Sequence, residues 1–186
     1  MTVNGSVDGE SLGIILSHEH LFVDLGGVGI SGFNGRLDDP ELALKELQLF
    51  RSAGGKTLVD VTTRGIRVND DQQLLPEKPP LLLRKLALDS GLNIVMGTGW
   101  YIDSTHEPRL SCMTTNEVAD ELIRDVTEGV DGTDVRAGIL GEIGVEHTFV
   151  TFANGTTPEA VLSVHRIVDG KIISTETGAT ALHEYG

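Results

Sequence analysis

Short apolar runs begin near residues 13, 57, 93 and 135, separated by amphipathic stretches, and that spacing constrains the fold more than any other feature of the chain. It fits repeated strand-helix units feeding a parallel sheet. The first run is Gly13-Ile14-Ile15-Leu16, entering His18 and His20. The second is Thr57 to Val61, the third Asn93 to Met96 and the fourth Val135 to Leu140. A helix capped by Asp38 or Asp39, with Pro40 in its first turn, is expected to present Leu42, Leu44, Leu47, Leu49 and Phe50 on its apolar face and to stop at Gly54-Gly55. A second helix is expected over Leu81 to Ser90, closed by Gly91, and a third from about Thr115, a capping residue, to Glu128. The fold class that follows is α/β, a partial TIM-type (β/α) barrel of about four units. A complete eight-fold barrel takes roughly 250 residues and about 200 at the least, and this chain has 186.

The texture changes after Gly144. Thr148 to Phe152 alternates, Asn154-Gly155 signals a turn, and Val161 to Val168 with Lys171 to Thr175 brackets Asp169-Gly170 as a β-hairpin would. Two units are therefore expected: a half-barrel over residues 1–145 and a short β-rich tail over 146–186.

Charge and composition narrow the function. A net charge of −14 repels phosphate backbones and anionic lipid surfaces, so neither nucleic acid nor membrane is an expected partner. The polar, acidic start lacks the cationic lead and apolar core of an export signal, which places the protein in the cytoplasm. The single cysteine, Cys112, excludes an internal disulfide and a thiolate metal cluster. Small molecules remain the expected partners.

The chemistry concentrates at His18 and His20. Two residues apart at a strand end, they leave the same face, and two imidazoles side by side at the C-terminal mouth of a barrel can ligate one divalent ion. Glu19 then faces the helix layer. A bare His-x-His pair is more often surface or packing, so its surroundings decide its meaning.

Those surroundings are distinctive. Gly13-Ile14-Ile15-Leu16-Ser17-His18-Glu19-His20-Leu21 resembles the signature of the phosphotriesterase-related family of amidohydrolase-type barrels, except that Ile15 stands where Thr or Ala is usual. The similarity continues through Thr57 to Ile66, then Gly91 to Tyr101, and ends with Val135 to Gly144. It implies a two-metal hydrolase of ester, lactone or phosphoester bonds, zinc being the expected metal, working through a metal-bound hydroxide. It also implies that His18 and His20 are ligands and that Glu142, in Gly141-Glu142-Ile143-Gly144, is the bridging carboxylate of one branch of the family. Trp100 and Tyr101 match positions at the substrate mouth, with a buried tryptophan in the helix layer as the competing reading. Asp24 and Asp60 fall where a carboxylate could orient ligands or merely cap loops.

The family completes its site with one histidine from each of two later strands and an aspartate from the eighth. No such motif follows Gly144: His106, His147, His165 and His183 lie outside family contexts and are assigned no ligand role, and the catalytic base is unidentified. The tail resembles instead the final hairpin of SnoaL-like or nuclear-transport-factor-like folds. Three classes stay open: a metal-dependent hydrolase, a non-catalytic half-barrel that binds metal or self-associates through its open edges, and a small-molecule binder built on the tail.

Overall fold

The computed structural model describes residues 1–29, 35–68, 75–141, 159–168 and 171–181. The chain divides into two compact units, Met1–Gly144 and Val145–Gly186.

The first unit is built on four parallel strands, β1 (Ile14–Glu19), β4 (Gly55–Asp60), β5 (Asn93–Thr98) and β6 (Ile139–Leu140), paired in that order. A small antiparallel pair, β2 (Val23–Asp24) and β3 (Arg36–Leu37), stands beside them. Helices α1 (Pro40–Ser52), α2 (Pro79–Ser90) and α3 (Thr115–Thr127) make the crossovers. Neighbours in the sheet follow chain order, as in a barrel wall, and the result is a curled half-barrel.

The core lies between sheet and helices. Leu58, Ile94 and Met96 from the strands meet Leu47 of α1 and Leu82, Leu83 and Leu86 of α2, all nearly inaccessible. Each such side chain contributes about 1.5–3 kcal/mol by leaving water. Among the described residues β1 and β6 are the edges of the sheet: Ile14 is 61% and Ile15 42% exposed on β1, and Ile139 and Leu140 on β6 are 39% and 47% exposed.

Several expected boundaries shift for physical reasons. Helix α2 starts at Pro79, because two prolines fit the first turn, where their missing N–H groups have no intrahelical acceptor. Asp39 caps α1, accepting from the N–H of Glu41 and of Leu42. Leu42 and Leu49 of α1 are 48% and 65% exposed, and Ala43 takes their place beside Leu44, Leu47 and Phe50. Those four follow the helical repeat, whereas Leu42 and Leu49 fall together on one flank. The cap of α3 is Thr114, one residue before the expected position, and forms a capping box with Glu117. The fourth strand shortens to Ile139–Leu140: Val135 and Ala137 are buried, but the Ala137 N–H donates to the carbonyl of Asp125 on α3 and not to a neighbouring strand.

The second unit contains a two-stranded antiparallel hairpin, β7 (Glu159–Val168) and β8 (Lys171–Ala181), longer than the sequence pattern suggested. Its register slips by one residue between Arg166 and Ile167. The turn residues Asp169 and Gly170 lie outside the described residues.

Candidate functional site

At the C-terminal end of β1 the strand register contains an extra residue. Leu16 and Glu19 pair with Leu58 and Asp60, so three steps along β1 match two along β4. A bulge of this kind reverses the alternation of side chains. Leu16 and Glu19 thereby share the helix-side face with Leu58, and strand alternation assigns His18 to the opposite face, whereas His20, one residue past the end of β1, borders a cleft with Leu16, Glu19 and residues of α1. Without the bulge, Leu16 and His18 would share one face, and either the core or the candidate site would be lost.

The two rings stand edge to face, 78° apart in plane, with centroids separated by 5.5 Å. Rings that bind one ion through nitrogens at ~2 Å have centroids about 5 Å apart, so the observed spacing fits a shared cation. His20 Nδ1 lies 2.9 Å from the Thr62 hydroxyl, which orients the ring from the exit of β4 and leaves Nε2 as the nitrogen that could meet a cation. Asp60, 2% exposed, accepts from the N–H of Leu21 at 3.3 Å and of Thr62 at 2.9 Å. It thus ties the exits of β1 and β4 together and, through Thr62, supports His20. Asp24 caps the following loop by accepting from the Gly26 N–H and pairs with Arg36 at 3.6 Å.

The strand ends crowd together beyond this point. A Cβ on Gly97 would meet backbone atoms of Asp60, Val61 and Gly141 at 3.1–3.2 Å, and one on Gly141 would come within 2.5 Å of the Val61 carbonyl oxygen. Only glycine permits that approach. The Gly141 N–H donates to Thr98 O at 2.8 Å, which brings the end of β6 against the segment that carries Thr62. Glu142, the expected bridge, is the next residue and lies outside the described residues, as do His147 and His183. Among the described residues, no set of three or more histidine, cysteine, aspartate or glutamate side chains is gathered closely enough to hold a metal. His106 Nε2 lies 2.8 Å from the Tyr101 carbonyl oxygen, and His165 pairs opposite Thr175 in the hairpin.

Trp100 is 5% exposed, and its ring is covered by the guanidinium of Arg64 with 5.2 Å to the ring centroid. Tyr101 is half-buried at the same loop. Arg64 belongs to a charged cluster that no sequence motif announced. Its guanidinium bonds Thr98 Oγ1 at 3.1 Å and pairs with Asp125 of α3 at 2.7 Å and with Asp131 at 3.5 Å. Thr98 also donates to Asp125, and Arg67 joins through Asp131 and the carbonyls of Thr62 and Gly97. Burial opposes the charge on Arg64, but the Asp125 hydrogen bond and the carboxylates of Asp125, Asp131 and Glu121 outweigh it and hold its pKa above the ordinary arginine value. The cluster borders a cleft of about 740 Å³ beside α3, with Arg109 and Glu121 on its wall. The signal that could have found it is the spacing of Val118, Glu121, Leu122 and Asp125, which sets two acids on the inward face of α3, where buried cations would have to answer them.

Comparison with known proteins agrees with this geometry. The sequence profile described as the Phosphotriesterase family matches residues 1–184, running through the hairpin as well as the half-barrel. An N-acetyltaurine hydrolase of Tetraodon nigroviridis is 35% identical over an alignment covering 77% of this chain and 46% of the relative. The crystal structure of a resiniferatoxin-binding protein from Rhodobacter sphaeroides superposes with a TM-score of 0.67 at 29% identity, covering 84% of this chain and 47% of that one. A mutant of a PTE-like lactonase from Deinococcus radiodurans superposes with a TM-score of 0.56 at 29% identity, covering 74% of this chain and 43% of that one. The chain spans under half the length of each of these three proteins. With a family profile matched along nearly its whole length and a parallel half-barrel sheet shared with solved relatives, the chain belongs to the phosphotriesterase family.

Proposed function

We propose that this chain carries the metal-holding first half of a hydrolase site, in which His18 and His20 bind a divalent ion of the zinc type and Glu142 bridges to a second. The observation that carries the reading is the His18–His20 pair at 5.5 Å with His20 fixed by Thr62. The role of Glu142 rests on the resemblance of Gly141-Glu142-Ile143-Gly144 to the family motif, and the described chain up to Gly141 closes against Val61. An ion bound there would polarise a carbonyl or phosphoryl oxygen and acidify an attacking water. The protein's own part is to orient: Thr62 sets the His20 ring, Asp60 locks the two strand exits, and the half-buried Tyr101 offers an aromatic surface.

The substrates that fit are small esters, lactones and phosphoesters, and the relative named for N-acetyltaurine hydrolysis adds N-acyl bonds to that range. Among the described residues no helix is long and apolar enough to cross a membrane; the proposed setting is the cytoplasm, with small molecules as substrates. Residues 146–186 form a separate β-rich unit in this reading.

A second reading is favoured by the edges of the described sheet at Ile14, Ile15, Ile139 and Leu140: a half-barrel that becomes complete, and active, only when a further barrel half or a second copy pairs with β1 and β6. Assays of the chain with an aryl ester, a lactone, an aryl phosphotriester and an N-acyl amide, with zinc added or removed by chelator, separate the two. Zinc-dependent turnover by the monomer supports the hydrolase. Bound metal without turnover supports the incomplete barrel.

A further inference from the structure

Arg64 lies four residues past the end of β4 and is laced to the loop after β5 on both sides. Its N–H donates to Gly99 O at 3.0 Å, and its carbonyl accepts from the Tyr101 N–H at 2.9 Å. Its side chain, 10% exposed, is buried between the Trp100 ring and the carboxylate of Asp125. Burying a guanidinium is costly unless its donors are satisfied, and here Thr98, Asp125 and Asp131 satisfy them while the flat face covers the indole. The Trp100 indole nitrogen is buried without a hydrogen-bond partner among the described residues, so no polar contact of its own fixes the ring. What seats it is the arginine.

We infer that Arg64 is a positioning residue for the aromatic segment Trp100–Tyr101: clamped by Asp125 of α3, its guanidinium sets the seat of the Trp100 ring and thereby the placement of Tyr101, whose N–H the Arg64 carbonyl holds. The link to substrate rests on the hydrolase reading above, whereas the link between Arg64 and the Trp100 ring does not. Arginine is required over lysine because one planar group must both stack on the ring and fork to a carboxylate, which an ammonium point charge cannot do. The position of Asp125 on α3 therefore reaches the mouth of the half-barrel through a single side chain.

Trp100 is the chain's one tryptophan, so intrinsic fluorescence reports this ring alone. Removing Arg64 by itself strands the buried Asp125 carboxylate, so the double substitution Arg64→Met with Asp125→Met, which removes both charges, accompanies Arg64→Lys. With native far-UV circular dichroism, both proteins are expected to show red-shifted Trp100 emission and an acrylamide quenching constant raised at least about twofold. In the active protein, KM for an aryl ester should rise about 3- to 10-fold with kcat within about twofold. Unchanged emission and quenching in the folded double variant overturn the inference. So does a fall in kcat at constant KM. If the unmodified chain hydrolyses nothing, the hydrolase reading fails, while the emission result still decides whether Arg64 seats Trp100.

Discussion

The Thr62 hydroxyl lies 2.9 Å from His20 Nδ1 and so fixes, from the exit of β4, the ring that would offer its other nitrogen to a metal. A hydroxyl in this place governs ring orientation and ligand basicity, and losing such an outer partner typically costs 10–100-fold in metal affinity. Thr62→Val keeps the shape and removes the bond. It is expected to weaken zinc binding about 10-fold in a chelator competition titration while leaving thermal stability nearly unchanged. Equal affinity in the two proteins would show that Thr62 does not orient the ligand.

Gly141 tests the crowding where the end of β6 meets the exit of β4. A methyl group there would come within 2.5 Å of the Val61 carbonyl oxygen and 3.0 Å of Thr63 Cγ2, so backbone must shift to admit it. Gly141→Ala is expected to lower stability by about 1–3 kcal/mol, measured by urea denaturation, and to weaken metal binding together with it. Gly9, which has open space around the same added atom, supplies the control: Gly9→Ala should be close to neutral by comparison.

The ion pair of Arg109 with Glu121 makes a prediction about pH. Both guanidinium donors reach the carboxylate at 2.9 Å, and this hydrogen bonding, reinforced by the charges of Arg64, Arg109 and Arg124, holds the Glu121 pKa below its ordinary value of 4.5. A carboxylate whose pKa is depressed by folding adds stability above its unfolded pKa and loses it as pH falls through the folded pKa. Thermal stability should therefore decline as pH drops below about 4.5, and Glu121→Gln should flatten the decline across that interval. An identical pH profile in the variant would mean that the pair is not formed in solution.

The capping box of α3 provides an independent check on the helix that holds Asp125. Thr114 accepts from the Glu117 N–H while Glu117 accepts from the Thr114 N–H at 2.7 Å. Thr114→Ala is expected to cost about 1 kcal/mol in thermal unfolding, with Thr115→Ala, the neighbouring threonine, costing less.

Much of the fold was legible because it depends on local patterns. Strand starts were marked by short apolar runs, and crossover helices by caps and glycines. What stayed hidden depends on pairing between distant residues. The register shift between Leu16 and Glu19 leaves no trace in composition, yet it sets the face that His18 takes relative to Leu16. The short β6 could not be foreseen from Val135 to Leu140, because the competitor for its hydrogen bonds is the Asp125 carbonyl on another element. Trp100 was expected at the substrate mouth or in the helix layer, and only the burial of Arg64 against it shows the ring covered. His18 and His20 were legible as a pair through their resemblance to a known motif, but Thr62, the residue that orients one of them, lay in a strand exit with no signal of its own.

The account turns on whether this chain holds metal at the ends of β1 and β6. Elemental analysis of zinc per chain, after purification in zinc-supplemented medium and desalting, measures that directly for the unmodified protein and for His18→Ala, His20→Ala and Glu142→Ala. The expected result is stoichiometric metal in the unmodified chain, loss of most of it in both histidine variants, and a partial loss with Glu142→Ala. Metal content unchanged by all three substitutions, in proteins that remain folded, would contradict the assignment.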